Sequence, residues 1–207
     1  YERVARSIQV EWDSLYSVNP DLRAWIQIDA AQIDQPILAS PDNEYYLKVA
    51  FDGSYHEMGS IYFDFRNHTD FRDPNIIIYG HNFDNGRMFS NLVWFRQQAF
   101  VDANPSYYIL TPRVIYRVDI ASGFLVENDD ATYLSVEFPA EDGYAGYLAS
   151  IKARSEFQTD VALTDQDRII TLYTCTNNAR DQRFVLVGKL TEIGRNEQAW
   201  SFPQQQP

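Results

Sequence analysis

Cysteine is all but missing from this chain. Cys175 is the only one in 207 residues, which excludes an internal disulfide framework and a cysteine-based zinc cluster. Histidine is nearly as scarce. His56, His68 and His81 are the only three, no two of them at ligand spacing on a helix, so no metal site is expected. Basic charge is also short. Lys and Arg number 17 against 29 Asp and Glu, a formal net charge of −12, and this balance excludes a nucleic-acid partner that would need a basic surface for phosphates. It argues equally against a polybasic membrane-surface domain. Long apolar runs are absent too: no window approaches the ~20 residues of a membrane span, and no signal-peptide core is visible. There is no internal repeat and no low-complexity linker.

What the chain does have is apolar and aromatic residues, with 14 Tyr and 13 Phe. Aromatics favour strands, and a chain of this length can bury a sizeable core in one domain, with or without an appendage. It starts at Tyr1 rather than Met, so it is expected to be a fragment of a longer protein.

Residues 1–18 are expected to form an amphipathic helix. Val4, Ile8, Trp12 and Leu15 recur at helical spacing, and Tyr1, Ala5 and Tyr16 widen the stripe. A lone helix of that length is marginal in water, so the stripe should pack on the main body. Asn19-Pro20-Asp21 then punctuates the chain.

Strand signals dominate from Ala24. Trp25–Ile28 and Gln35–Leu38 are short candidates, and residues 59–65 alternate with Ile61, Phe63 and Phe65 on one face. Asn75–Tyr79 is continuously apolar, as in a strand buried on both faces or in a barrel wall. Met88, Leu92, Phe95 and Ala99 suggest a helix after a loop at 82–87. Residues 107–111, 114–126 and 132–138 read as further strands. Residues 140–154 read as a helix with Tyr144, Tyr147, Leu148 and Ile151 on one stripe, and two long strands follow at 169–175 and 183–193. The expected fold is mainly β with peripheral helices, a closed mixed β-barrel of about eight strands with an N-terminal helix. By domains, residues 1–20 are a helical appendage packed on the barrel, 21–197 the barrel and 198–207 a frayed tail.

Reactive side chains gather at strand ends. Cys175 closes the run Ile169-Ile170-Thr171-Leu172-Tyr173-Thr174-Cys175 and opens onto a polar loop. A lone cysteine is ordinarily a small buried hydrophobe. At a strand exit with cations near, it is instead a candidate nucleophile, because the thiolate is the reactive form. His81 follows Asn75-Ile76-Ile77-Ile78-Tyr79-Gly80. A structural role is the ordinary alternative, but Gly80 permits an unusual backbone or a close approach. His56 and His68 lie in polar loop sequence and read as surface histidines.

Arg183 opens the strand after the cysteine loop, and an antiparallel return through residues 176–182 would bring its guanidinium toward Cys175. A fixed cation there can stabilise an oxyanion. Arg180 is the rival for that role. Thiol, imidazole and guanidinium together point to acyl transfer.

The Tyr79-Gly80-His81 and Thr171-Leu172-Tyr173-Thr174-Cys175 motifs, with the arginine at the start of the next strand, resemble the sortases. These are membrane-anchored cysteine transpeptidases of Gram-positive bacteria. The N-terminal helix, Asp42-Asn43-Glu44-Tyr45-Tyr46-Leu47, Gly59-Ser60-Ile61 and the helix before the cysteine strand are similar to class B. The resemblance implies a sorting-signal peptide near the C-terminus of a secreted protein as substrate, cleaved after a threonine. The acceptor would be an amine of a peptidoglycan precursor or a pilin. It implies no cofactor, and a location at the extracellular face of the membrane, with an N-terminal anchor absent from this fragment.

By the same resemblance Cys175 is the nucleophile, His81 the acid and base, and Arg183 the oxyanion and signal-binding residue. Arg183 is preferred to Arg180 because the strand after it matches the family register. Asn43, Leu47 and Tyr79 would line the signal groove, though Leu47 and Tyr79 are equally readable as core. The residue two before the cysteine is commonly small or hydroxylic in class B; here it is Tyr173. Two other readings remain open on sequence alone: a cysteine peptidase that hydrolyses its acyl-enzyme, and a non-catalytic cell-surface β-barrel binding module.

Overall fold

A computed structural model describes residues 10–82, 86–127, 130–139, 143–175 and 182–195, with the backbone alone at Cys175. Its centre is a closed eight-stranded barrel. The strands in chain order are β1 (Leu22–Ile28), β2 (Ile33–Leu38), β3 (Ile61–Phe63), β4 (Asn75–Gly80), β5 (Ser106–Leu110), β6 (Val114–Glu127), β7 (Arg168–Cys175) and β8 (Gln182–Arg195). Around the wall they run β1-β2-β3-β4-β7-β8-β6-β5. Two neighbouring pairs, β2 with β3 and β4 with β7, are parallel, so the sheet is mixed. Closure leaves no open edge to cap.

The long apolar runs follow from a wall covered on both sides. In β7 and β8, Ile170, Leu172, Phe184 and Leu186 fill the barrel interior. Their neighbours Ile169, Tyr173, Val185 and Val187 join an outer cluster with Phe124, Tyr144, Leu148 and Ile151. Period-two alternation therefore yields apolar residues in both directions, and the sequence reads as one continuous run. The cover is helix α3 (Gly143–Ala153), whose Tyr144, Leu148 and Ile151 are buried as the stripe predicts.

Helices α1 (Trp12–Val18) and α2 (Gln98–Ala103) are short. Of the expected N-terminal helix, Trp12–Val18 is helical and residues 1–9 lie outside the described residues, as do 196–207. Trp12, Leu15 and Tyr16 pack with Leu22, Leu38, Tyr46, Tyr62 and Leu110 in a third apolar cluster. Asn19, which closes the helix, donates to the Tyr46 hydroxyl (3.2 Å) and the Phe51 carbonyl (2.9 Å).

Three expectations are corrected. Residues 132–138 are not a strand. Their carbonyls are satisfied by side chains instead of a ladder: Tyr147 donates to Tyr133 O, Arg66 to Leu134 O and Asn75 to Ser135 O, each at 2.9 Å. The strand read through residue 65 stops at Phe63. The chain turns with Asn67 N–H on Asp64 O at 2.9 Å, leaving Phe65 54% exposed and Asp64 buried. The helix read over Met88–Ala99 is a 3-10 segment, Ser90–Arg96, followed by α2. Met88 itself has φ +54°, outside any right-handed helix.

Candidate active site

Register brings the three strand-end residues to one rim. Gly80 pairs with Thr174 across the parallel β4–β7 ladder, so His81 and Cys175 are the next residues along two hydrogen-bonded strands running the same way. On the other side of β7, the antiparallel register sets Cys175 opposite Arg183. The Cys175 side chain, and Arg180 with the rest of 176–181, lie outside the described residues.

His81 is half-buried and held by two backbone bonds. Its Nε2 lies 2.9 Å from the Leu47 carbonyl oxygen. A carbonyl only accepts, so Nε2 carries the hydrogen, and in the neutral ring Nδ1 is the basic nitrogen. Phe89 N–H donates to His81 O at 2.9 Å. Burial lowers the His81 pKa below the ordinary histidine value, and the Arg183 charge lowers it further against the opposing effect of the Leu47 carbonyl. The close approach allowed by Gly80 is to Phe89: a Cβ at position 80 would sit 2.6 Å from that ring.

A cleft of about 240 Å³ adjoins this rim, lined by Asn43, Leu47, Tyr62, Tyr79, Gly80, His81, Leu134, Tyr173 and Arg183. It gathers all the residues singled out from sequence whose side chains are described. A larger groove of about 620 Å³, bounded by Val101, Pro105, Ile120 and residues 158–161, carries no histidine, cysteine or arginine, so size alone does not mark the site. Among the described residues, no group of three or more His, Cys, Asp or Glu is arranged to hold a metal, and no helix is long and apolar enough to cross a membrane.

An aromatic ladder forms one wall. Tyr62 and Tyr79 lie 5.4 Å apart by ring centroids, Tyr79 meets Tyr173 edge-on at 5.8 Å, and the Arg183 guanidinium carbon sits 5.9 Å from the Tyr173 ring centroid. Tyr79 is anchored by its hydroxyl, which donates to Asp64 Oδ2 at 2.8 Å. Burial and the Asp64 charge push its pKa upward, so it stays a neutral donor. The Asn43 amide is committed at both ends, Nδ2 donating to Asp64 Oδ2 (3.1 Å) and Oδ1 accepting from Phe65 N–H (3.0 Å).

Three features escaped the sequence reading. The Leu47 backbone, not only its side chain, serves the site by orienting His81. Leu134 was expected on a strand and lines the cleft from an irregular segment. The third is the buried Asp64 with Arg66, whose side chains are 0% and 39% exposed. An Asp-x-Arg spacing just past an apolar strand was the only signal for it. His56 and His68 are exposed, as expected of surface histidines.

Comparison with known proteins agrees with this geometry. The sortase domain family matches residues 26–191. Sortase B of Listeria monocytogenes is 35% identical over 185 residues, covering 88% of this chain and 75% of that protein. The structure of a Staphylococcus aureus sortase B–substrate complex superposes with a TM-score of 0.83 at 26% identity, covering 94% of this chain and 95% of the other. A structure of sortase B complexed with triglycine gives a TM-score of 0.83 at 27% identity, covering 93% and 92% of the two chains. Barrel, cleft and relatives agree: the chain belongs to the sortase family of cysteine transpeptidases, and within it to the B class.

Proposed function

We propose that Cys175, His81 and Arg183 carry the transpeptidation and that the cleft edged by Asn43, Leu47 and Tyr79 receives the sorting signal. The observation that supports this most directly is the register: Cys175 stands opposite Arg183 on β8 and beside the residue following Gly80 on β4. It also stands two positions beyond Tyr173, which lines the cleft.

In the first half-reaction the Cys175 sulfur, as thiolate, adds to the threonine carbonyl of the signal. Negative charge then grows on that oxygen. The Arg183 guanidinium, held at the rim, stabilises it in a partly desolvated setting where a fixed cation is most effective. His81 delivers a proton to the departing amine as the C–N bond breaks, leaving a thioester. In the second half an amine attacks the thioester, His81 accepts its proton, and the C–S bond breaks to restore the thiolate. The Leu47 carbonyl keeps its bond to Nε2 in both protonation states of the ring, so the exchanging proton is assigned to Nδ1.

The acceptor we propose is a primary amine of a peptidoglycan precursor or a pilin, in line with the triglycine complex of the sortase B neighbour. The donor we propose is the sorting signal of a secreted surface protein, in line with the substrate complex of the Staphylococcus aureus neighbour. Family membership supports a setting at the extracellular face of the membrane. Residues 21–197 would be the catalytic unit, against which the helix Trp12–Val18 packs.

The deciding experiment is a peptide-library cleavage screen with and without triglycine, read by mass spectrometry. Scission after threonine with a triglycine-ligated product is the expected result. Hydrolysis alone, unaffected by the amine, would favour the peptidase reading. Turnover by Cys175→Ala or His81→Ala would strip those residues of their proposed roles.

A further inference from the structure

Behind the cleft lies a carboxylate that the acyl transfer does not use. Asp64 follows β3, and its side chain is fully buried. Its oxygens accept from Arg66 Nε (2.8 Å), Arg66 Nη2 (2.7 Å), the Arg66 N–H (3.0 Å), the Tyr79 hydroxyl (2.8 Å) and Asn43 Nδ2 (3.1 Å). Arg66 Nη2 donates in addition to the Leu134 carbonyl at 2.9 Å. Asn43 stands on the loop after β2, Tyr79 on β4 and Leu134 on the segment after β6. All three line the cleft.

A buried ion pair is a weak source of stability, since apolar residues of the same volume often serve as well. What a saturated carboxylate does better than a methyl group is fix several donors at defined distances and angles. Here those donors belong to separate walls of one groove. Burial by itself would raise the Asp64 pKa, but the Arg66 and Tyr79 bonds hold it below the usual carboxylate range, so the anion is the resident form at neutral pH.

We propose that Asp64, acting with Arg66, is a positioning residue that sets the spacing between the Asn43, Tyr79 and Leu134 walls of the sorting-signal groove. This rests on the reading of that cleft as the signal-binding site. The bonds to the Asp64 carboxylate come from Arg66, Tyr79 and Asn43 rather than from His81 or the thiol strand. Its loss should therefore disturb signal binding and leave the nucleophile alone.

The test compares wild type, Asp64→Asn, Arg66→Gln, Tyr79→Phe and Asp64→Asn/Tyr79→Phe. The readouts are steady-state kinetics on a sorting peptide with triglycine, and the rate at which iodoacetamide alkylates Cys175. In Asp64→Asn, KM should rise by about tenfold or more with a smaller change in kcat, and alkylation should stay within about twofold of wild type. Arg66→Gln, whose parent side chain is partly exposed, should reproduce the KM effect even if Asp64→Asn does not fold. The double variant should fall short of the product of the single effects, because Tyr79→Phe removes a bond to the Asp64 carboxylate that Asp64→Asn already weakens. An unchanged KM in folded Asp64→Asn or Arg66→Gln would overturn the inference. So would alkylation falling in step with turnover, or multiplicative effects in the double variant. Wild type that cleaves no sorting peptide and makes no triglycine product would instead sink the transpeptidase reading, and this inference with it.

Discussion

The Arg183 guanidinium lies 5.9 Å from the centroid of the Tyr173 ring, and the two residues sit on adjacent antiparallel strands whose register also pairs Cys175 with Arg183. The aromatic face therefore holds the cation proposed for the oxyanion at the level of the cysteine. A cation–π contact of this kind is worth ~0.5–2 kcal/mol. Tyr173→Ser should accordingly lower kcat/KM by roughly 2- to 30-fold, and Tyr173→Phe, which keeps the ring, should recover most of it. Steady-state assays on one sorting peptide decide this. Equal losses in both variants would assign the effect to the hydroxyl.

Arg183 acts on His81 as well as on the proposed oxyanion. Its charge is one of the two influences that depress the imidazole pKa, after burial. Removing it in Arg183→Gln should move the His81 midpoint toward higher pH, visible in the ring proton shifts of an NMR titration. A midpoint that stayed put or fell would contradict the coupling. The same depression has a stability consequence of definite sign. An unfolded histidine titrates near 6.5 and folded His81 lower, so between those values the unfolded chain binds more protons. This group's contribution to stability therefore falls as pH drops through that window and is constant above it. Arg183→Lys keeps the charge but loses the planar fork and the stacked geometry, and should reduce turnover by about tenfold or more.

Gly80, the last residue of β4, lets the Phe89 ring pack close to the backbone just before His81. A methyl group there would meet Phe89 Cδ2 at 2.6 Å, and Phe89 in turn holds the His81 carbonyl through its N–H. Gly80→Ala should cost ~1–3 kcal/mol of stability by overpacking and lower kcat by displacing His81 from the Leu47 carbonyl. Phe89→Leu in the same chain should return part of both. A melting curve and a turnover assay on the single and double variants test the pairing. A fully active Gly80→Ala would mean that the ring yields freely.

Much of this architecture was legible in the residues. Strands such as Asn75–Gly80 and Gln182–Arg195 announce themselves because a barrel wall covered inside and out needs apolar side chains in both directions. The Cys175–Arg183 pairing follows from the length of one loop between two such strands. Residues 132–138 misled because Tyr133, Leu134 and Phe138 are apolar for a different reason: they pack under α3, with carbonyls taken by Arg66, Asn75 and Tyr147 from far along the chain. Asp64 was hidden for the same reason. Alternation through Ile61, Phe63 and Phe65 describes a strand that would turn it outward to solvent, but this outer face is covered: Tyr62 on it is buried, and Asn43, Arg66 and Tyr79 close over the Asp64 carboxylate. Local pattern marks a ladder well. It does not register side chains that replace one.

The N-terminal helix bears on the site through a single packed turn. Trp12 is 3% exposed and shares a cluster with Tyr46, whose own segment, Tyr45–Leu47, supplies the carbonyl that orients His81. The Trp12 indole N–H has no hydrogen-bond partner among the described residues, and leaving such a donor buried costs ~1–3 kcal/mol. Trp12→Phe gives up volume but also gives up that orphaned donor, so the two effects oppose each other and the net change in unfolding free energy should stay within ~1 kcal/mol. Trp12→Ala has no such compensation and should cost ~3–5 kcal/mol. It should also loosen the Tyr46 turn, so that kcat falls even at temperatures where the barrel remains folded. Urea unfolding of both variants, with turnover measured well below the transition, separates these outcomes. A Trp12→Phe protein as damaged as Trp12→Ala would show that the packed volume of the indole, not its orphaned N–H, sets the cost.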